Sequence, residues 1–118
     1  MATYARVHLS GSTDGKPIPV VATATAGTLI HTALAGTAGF DEVYLWVSNV
    51  TGSAATLTLE WGSATDPGGH LCKAVSIPAN SAPVLVAAGN VLNNAAVVRA
   101  FSGTASALNC TGYINRIQ

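Results

Sequence analysis

VYLWVSNVTGSAATLTLEWG, residues 43 to 62, is the stretch that decides how this chain folds. Val43, Leu45 and Val47 alternate with Tyr44, Trp46 and Ser48; after a polar, Gly-containing break, Leu57, Leu59 and Trp61 alternate with Thr56, Thr58 and Glu60. A period of two sends successive side chains to opposite faces of an extended strand. The stretch therefore reads as a β-hairpin. Its second strand is amphipathic, with Glu60 on the polar face. Its first strand carries bulky residues on both faces, as a central strand does when it is covered on both sides or when its outer face meets a partner.

The same pattern extends in both directions. Upstream, TYARVHL (3–9) alternates and is followed by the turn dipeptide Asp14-Gly15 and by Pro17. IPVVATATA (18–26) and TLIHTALA (28–35) are parted by Gly27, and their Val, Ile and Thr favour strand over a short helix. Downstream, the polar loop GSATDPGG precedes LCKAVSIP, and APVLVAAG, AVVRAF and ALNCTGYINRI follow, with Pro78, Asn93-Asn94 and Gly103 at the breaks. About eight short strands at regular spacing are the pattern of a sandwich or a barrel, and the fold expected is an all-β, single-domain antiparallel β-sandwich, jelly-roll-like, over residues 18–118. Residues 1–17 form an N-terminal arm or edge strand and loop.

Composition narrows the function. The chain has 118 residues, 49% of them hydrophobic and only 8% charged, against about 25% charged in an average soluble domain. Five basic and five acidic side chains cancel, so the cationic footprint that a phosphate backbone requires is missing and nucleic acid is not an expected partner. No apolar run approaches the roughly 20 residues that span a bilayer. The first 17 residues have no apolar core of the secretory kind, which predicts a protein made and used in a cytosol, or one already processed. A surface so poor in charge implies that neighbours cover much of it.

Catalytic chemistry has little to work with. His8, His31 and His70 fall in an alternating arm, a charge-free segment and a loop edge; Asp14, Asp41, Glu42, Glu60 and Asp66 fall mostly in turns or at strand ends, where charges are normally solvated. No nucleophile elbow, HExxH, P-loop or GxGxxG is present, and the chain is not expected to be an enzyme. His70-Leu71-Cys72 is half of a zinc motif without the other half. Cys72 and Cys110 read as two small buried hydrophobes, and no metal or other cofactor is expected.

Asn49-Val50-Thr51 and Asn109-Cys110-Thr111 match the glycosylation pattern, but without a secretory signal Asn49 reads as a turn former whose side chain bonds nearby backbone. Trp61 shares its face with Leu57 and Leu59 and is assigned to the core. Trp46, between Tyr44 and Ser48, is the tryptophan available to a partner.

Val47-Ser48-Asn49 before Ala54-Ala55-Thr56, then Ile77-Pro78, Val91-Leu92-Asn93, Val98-Arg99-Ala100-Phe101 and Gly112-Tyr113-Ile114-Asn115-Arg116 are the residues of a family likeness. Over roughly residues 27 to 117 the chain resembles the small β-sandwich virion proteins of tailed bacteriophages. The resemblance implies a structural virion protein, most plainly a capsid decoration (cement) protein that binds the major capsid protein on the capsid surface after assembly in the host cytoplasm. A head–tail neck or tail accessory is the alternative within that class, and a carbohydrate-binding host-attachment module is the alternative outside it. A protein that clamps a shell needs weakly charged, extensively buried surfaces. The expected interface residues are Tyr4, Arg6 and His8 on the arm, Tyr44 and Trp46 on the central strand, and Arg99 and Arg116, with Lys73 a further contact at the rim. Open edges and low charge predict a homo-oligomer, trimer or dimer, and the arm is expected to reach a neighbouring subunit.

Overall fold

Alternation and β-branched residues produce strands throughout residues 3–63 and 68–118, the part of the chain that the computed structural model describes. These are β1 (Tyr4–His8), β2 (Ile18–Pro19), β3 (Thr28–Thr32), β4 (Phe40–Asn49), β5 (Ala55–Trp61), β6 (His70–Ile77), β7 (Val84–Leu92), β8 (Val97–Ser102) and β9 (Leu108–Ile117). They build two antiparallel sheets, one ordered β1-β9-β4-β7 with β2 also on β9, the other ordered β3-β8-β5-β6. Asp66 and the middle of the loop before β6, residues 64–67, lie outside the described residues.

The pairing is nested. β2 pairs β9, β3 pairs β8, β4 pairs β7 and β5 pairs β6, as though one long hairpin had been rolled up with β5–β6 at its tip. That is the jelly-roll plan of a β-sandwich. Pairings of β4 with β9 and of β5 with β8 then complete the two sheets.

This topology corrects the hairpin expected at residues 43–62. β4 and β5 lie in different sheets, so the turn between them is an arch over the core. Both hydrogen-bonding edges of β4 are taken by β9 and β7, and both edges of β5 by β8 and β6. Alternation alone is the same for a hairpin and for an arch.

The arch is held by Asn49, which is 1% exposed. Its Nδ2 donates to the Ser53 and Ile77 carbonyls at 2.8 and 3.2 Å, and its Oδ1 accepts from the Thr51 amide and hydroxyl at 2.9 and 2.8 Å. All four hydrogen-bonding positions of the side-chain amide are thereby used. As expected, Asn49 is a turn former, and its Nδ2 points into the protein rather than towards solvent.

The core lies between the sheets, with Val43, Leu45 and Val47 of β4 facing Leu57 and Leu59 of β5 and joined by Ile30, Val98, Leu108 and Ile114. Trp61 packs half-buried at its margin. Residues 18–26 do not make the long strand expected of them. After Ile18–Pro19 the chain crosses between sheets: Val20 still donates to Leu108, while Ala22 accepts from Ser102 in the other sheet. The Thr28 hydroxyl takes the Val21 and Ala22 amides, and β3 begins only there. The N-terminal segment is an edge strand rather than a free arm, paired along its length with β9 and anchored by buried Leu9.

Candidate assembly surface

Parity sorts the side chains of the five-stranded sheet. On β4, Asp41, Val43, Leu45, Val47 and Asn49 are buried, so Phe40, Glu42, Tyr44, Trp46 and Ser48 stand on the outer face. The register carries that face across β9 through Ile117, Asn115, Tyr113 and Thr111, and across β1 through Tyr4, Arg6 and His8. β7 adds Leu85 beside Trp46 and Val91 beside Glu42. Five of the expected interface residues, Tyr4, Arg6, His8, Tyr44 and Trp46, are therefore brought onto one surface.

The aromatic side chains on it form a row. Tyr44 and Tyr113 stack with ring centroids 5.0 Å apart and planes 20° apart, close to the roughly 4.8 Å spacing of neighbouring strands. Trp46 tilts against Tyr113 at 6.0 Å, and the Arg6 guanidinium lies 4.6 Å over the Tyr113 ring. On the other flank Tyr44 leans over Gly89, which adopts a left-handed φ of 82° at an irregularity in the β4–β7 register. A β-carbon there would stand 3.0 Å from the Tyr44 hydroxyl. The missing side chain on β7 makes room for the ring on β4.

An antiparallel sheet with one face on the core normally turns polar residues outward. Here the outer face carries all three tyrosines of the chain, one of its two tryptophans and one of its two phenylalanines. Tyr4, Leu85 and Val91 are 72%, 50% and 54% exposed. No other layer of the described residues covers them.

Arg116 and Arg99 are placed elsewhere. Arg116 follows inward-facing Ile114 by two residues and binds Asp41, with Nε to Oδ1 at 2.8 Å and Nη2 to Oδ2 at 3.0 Å. It is engaged inside the chain rather than free at a rim, because the fully buried Asp41 carboxylate requires a counter-charge. Arg99 stands on the outer face of the other sheet, opposite Glu60 in the β5–β8 register. Lys73 is exposed on β6.

Two carboxylates expected in solvent are buried. Asp41 is 0% exposed and Glu60 is 1%. For Asp41 the sequence already held the signal, since it lies in phase with Val43, Leu45 and Val47. Burial pushes its pKa up, but hydrogen bonds and charge from Arg116 and His31 outweigh that and hold it below the ordinary carboxylate range. His31 donates from Nε2 to Asp41 at 2.8 Å while its Nδ1 accepts the Ser10 amide at 3.0 Å, which fixes the neutral tautomer. Burial holds His31 below its usual pKa despite Asp41. Ser10 Oγ, meanwhile, accepts from the Thr32 amide. The hydroxyl, imidazole and carboxylate thus lie close together, yet the imidazole meets the backbone of Ser10 and is 1% exposed. The cluster ties β3, β4 and β9 together.

Glu60 lies outside the core, on the far face of the four-stranded sheet, roofed by the segment before β3. The Thr25 hydroxyl and the Gly27 amide both donate to its carboxylate, the latter at 2.6 Å. No residue pattern announces that roof, which comes from a connection folding back over β8. Among the described residues no group of three or more His, Cys, Asp or Glu side chains is placed to hold a metal ion, and no helix is long and apolar enough to cross a membrane. Cys72 and Cys110 are free; Cys110 is buried and its thiol is pushed up to about 12 by desolvation, while Cys72 is half-buried on β6.

No protein-family model, no curated protein and no solved structure matches this chain.

Proposed function

We propose that this protein is a structural component of a tailed-bacteriophage virion, a capsid decoration protein that stabilises the shell of major capsid protein through protein–protein contacts and works as a homo-oligomer. One observation carries the reading: the outer face of the five-stranded sheet is aromatic and uncovered where a free-standing sandwich presents polar residues. Such a face is an assembly surface, since tyrosine and tryptophan contribute large contact areas for little lost side-chain entropy. The low charge of the chain supports the same reading, because many weakly charged contacts add up on a lattice. The jelly-roll plan is compatible with it but serves many functions.

The test is to place the protein in an intact particle and count its copies. The reading expects many copies on the capsid exterior, and shells stripped of the protein that lose resistance to heat. A tail-tip position in few copies would refute it. Binding to a glycan array, abolished by Trp46→Ala, would replace it with the host-attachment module.

A further inference from the structure

We infer that the outer face of the five-stranded sheet pairs with the same face of a second copy of this chain, about a twofold axis parallel to the strands. The inference rests on reading that face as an assembly surface and names its first occupant.

Charge decides the occupant. Arg6 and Glu42 lie in one row across the sheet, separated only by Asn115 of β9. Among the described residues Glu42 has no ion partner, and Arg6 has only the Tyr113 ring. The face is thus a cation and an anion set among aromatic and aliphatic side chains. A strongly acidic or basic partner gains nothing from such a surface. An identical copy does, because a twofold axis running between β9 and β4 sets each β9 against the other copy's β4. Arg6 of each copy is then offset sideways from Glu42 of the other by about one strand spacing, roughly 4.8 Å, and the two side chains reach towards each other across the roughly 10 Å between stacked sheets. The same operation sets Tyr113 against Tyr44 of the other copy, and the neutral net charge of the chain adds no repulsion between copies.

Area agrees. β1, β9, β4 and β7 have 5, 10, 10 and 9 residues, which at roughly 3.3 Å per residue and about 4.8 Å per strand make a projected face of about 540 Å². Side-chain relief adds to that figure and brings it towards the roughly 800 Å² per partner of a stable interface. The other sheet and the exposed valines of β6 and β7, Val75 and Val84, remain open for a shell.

The experiment is sedimentation equilibrium of the full chain over a concentration series, with circular dichroism verifying that each variant is folded. The wild type is expected to be a dimer at micromolar concentration. Arg6→Glu and Glu42→Arg are each expected to weaken it by about tenfold or more, and the double exchange to restore it to within about threefold. A monomer throughout, or a dimer indifferent to all three changes, overturns the inference. A monomer that still binds shells sinks the dimer alone; a dimer that respects the charge exchange but is absent from particles sinks the virion reading alone.

Discussion

Asp41 and Arg116 stand 75 residues apart and meet side by side on β4 and β9 in a two-pronged ion pair of 2.8 and 3.0 Å. The carboxylate is fully buried, whereas the arginine side chain is 27% exposed. That asymmetry sets the outcome of removing either partner. Arg116→Met leaves a buried carboxylate with only His31 and the Leu34 amide, and is expected to cost about 3–5 kcal/mol. Asp41→Asn leaves a cation that reaches water, and is expected to cost less, about 1–3 kcal/mol. Urea denaturation at neutral pH measures both, and the reverse order would contradict the placement of the pair.

The burial of His31, which outweighs its contact with Asp41, makes stability depend on pH in a defined direction. His31 has a folded pKa below its unfolded value of 6.5, so the unfolded chain binds the extra proton first. Its contribution is whole above pH 6.5 and declines as pH falls through the folded pKa. Asp41, also depressed, adds a second loss below its unfolded value of 3.8. His31→Gln, which keeps a donor towards Asp41, should abolish the first decline and retain the second. A midpoint-versus-pH series that is identical in the two proteins between pH 7 and 5 would remove His31 from the account.

Asn49 offers a test of the arch. Asn49→Asp replaces the two donors to Ser53 and Ile77 with lone pairs and leaves both carbonyls facing a carboxylate. The expected loss is about 2–4 kcal/mol, read as a fall in thermal midpoint. Expression through a eukaryotic secretory route should leave Asn49 of the folded protein without a glycan, detectable as an unshifted mass for the peptide that carries it.

Two glycines set backbone preference alone against backbone preference with crowding. A β-carbon on Gly112, at φ 156°, would overlap the Tyr44 carbonyl oxygen, whereas one on Gly36, at φ 79°, meets nothing within 4 Å. Gly36→Ala should cost about 1–2 kcal/mol from the left-handed backbone alone. Gly112→Ala should part β9 from β4 and cost more than 3 kcal/mol by order of magnitude, seen as loss of the folded dichroism spectrum.

Thiol labelling follows the burial of the two cysteines. With its pKa pushed up to about 12, Cys110 has almost no thiolate at neutral pH and no access to reagent. Maleimide should modify Cys72 first, with Cys110 reacting only after denaturation. Mass mapping that finds Cys110 labelled first would show the sandwich opening at β9.

The sequence by itself determined that the chain is all-β, because period-two alternation and β-branched residues bury its apolar half only in a sandwich or a barrel. It also determined that Asn49 makes a turn and that Tyr44 and Trp46 face outward, since both are matters of local chemistry and parity. Only the tertiary structure decided that β4 and β5 part into different sheets, for which partner takes a strand edge is settled by competition among all strands. It likewise decided that Tyr4, Arg6 and His8 share a surface with Tyr44 and Trp46, that Arg116 turns inward to Asp41, and that Glu60 lies under a roof. Each of these depends on residues tens of positions apart, brought together by the register of β9 and by the crossing before β3. Desolvation at the place where a side chain comes to rest, rather than its type, then sets its charge and its partners.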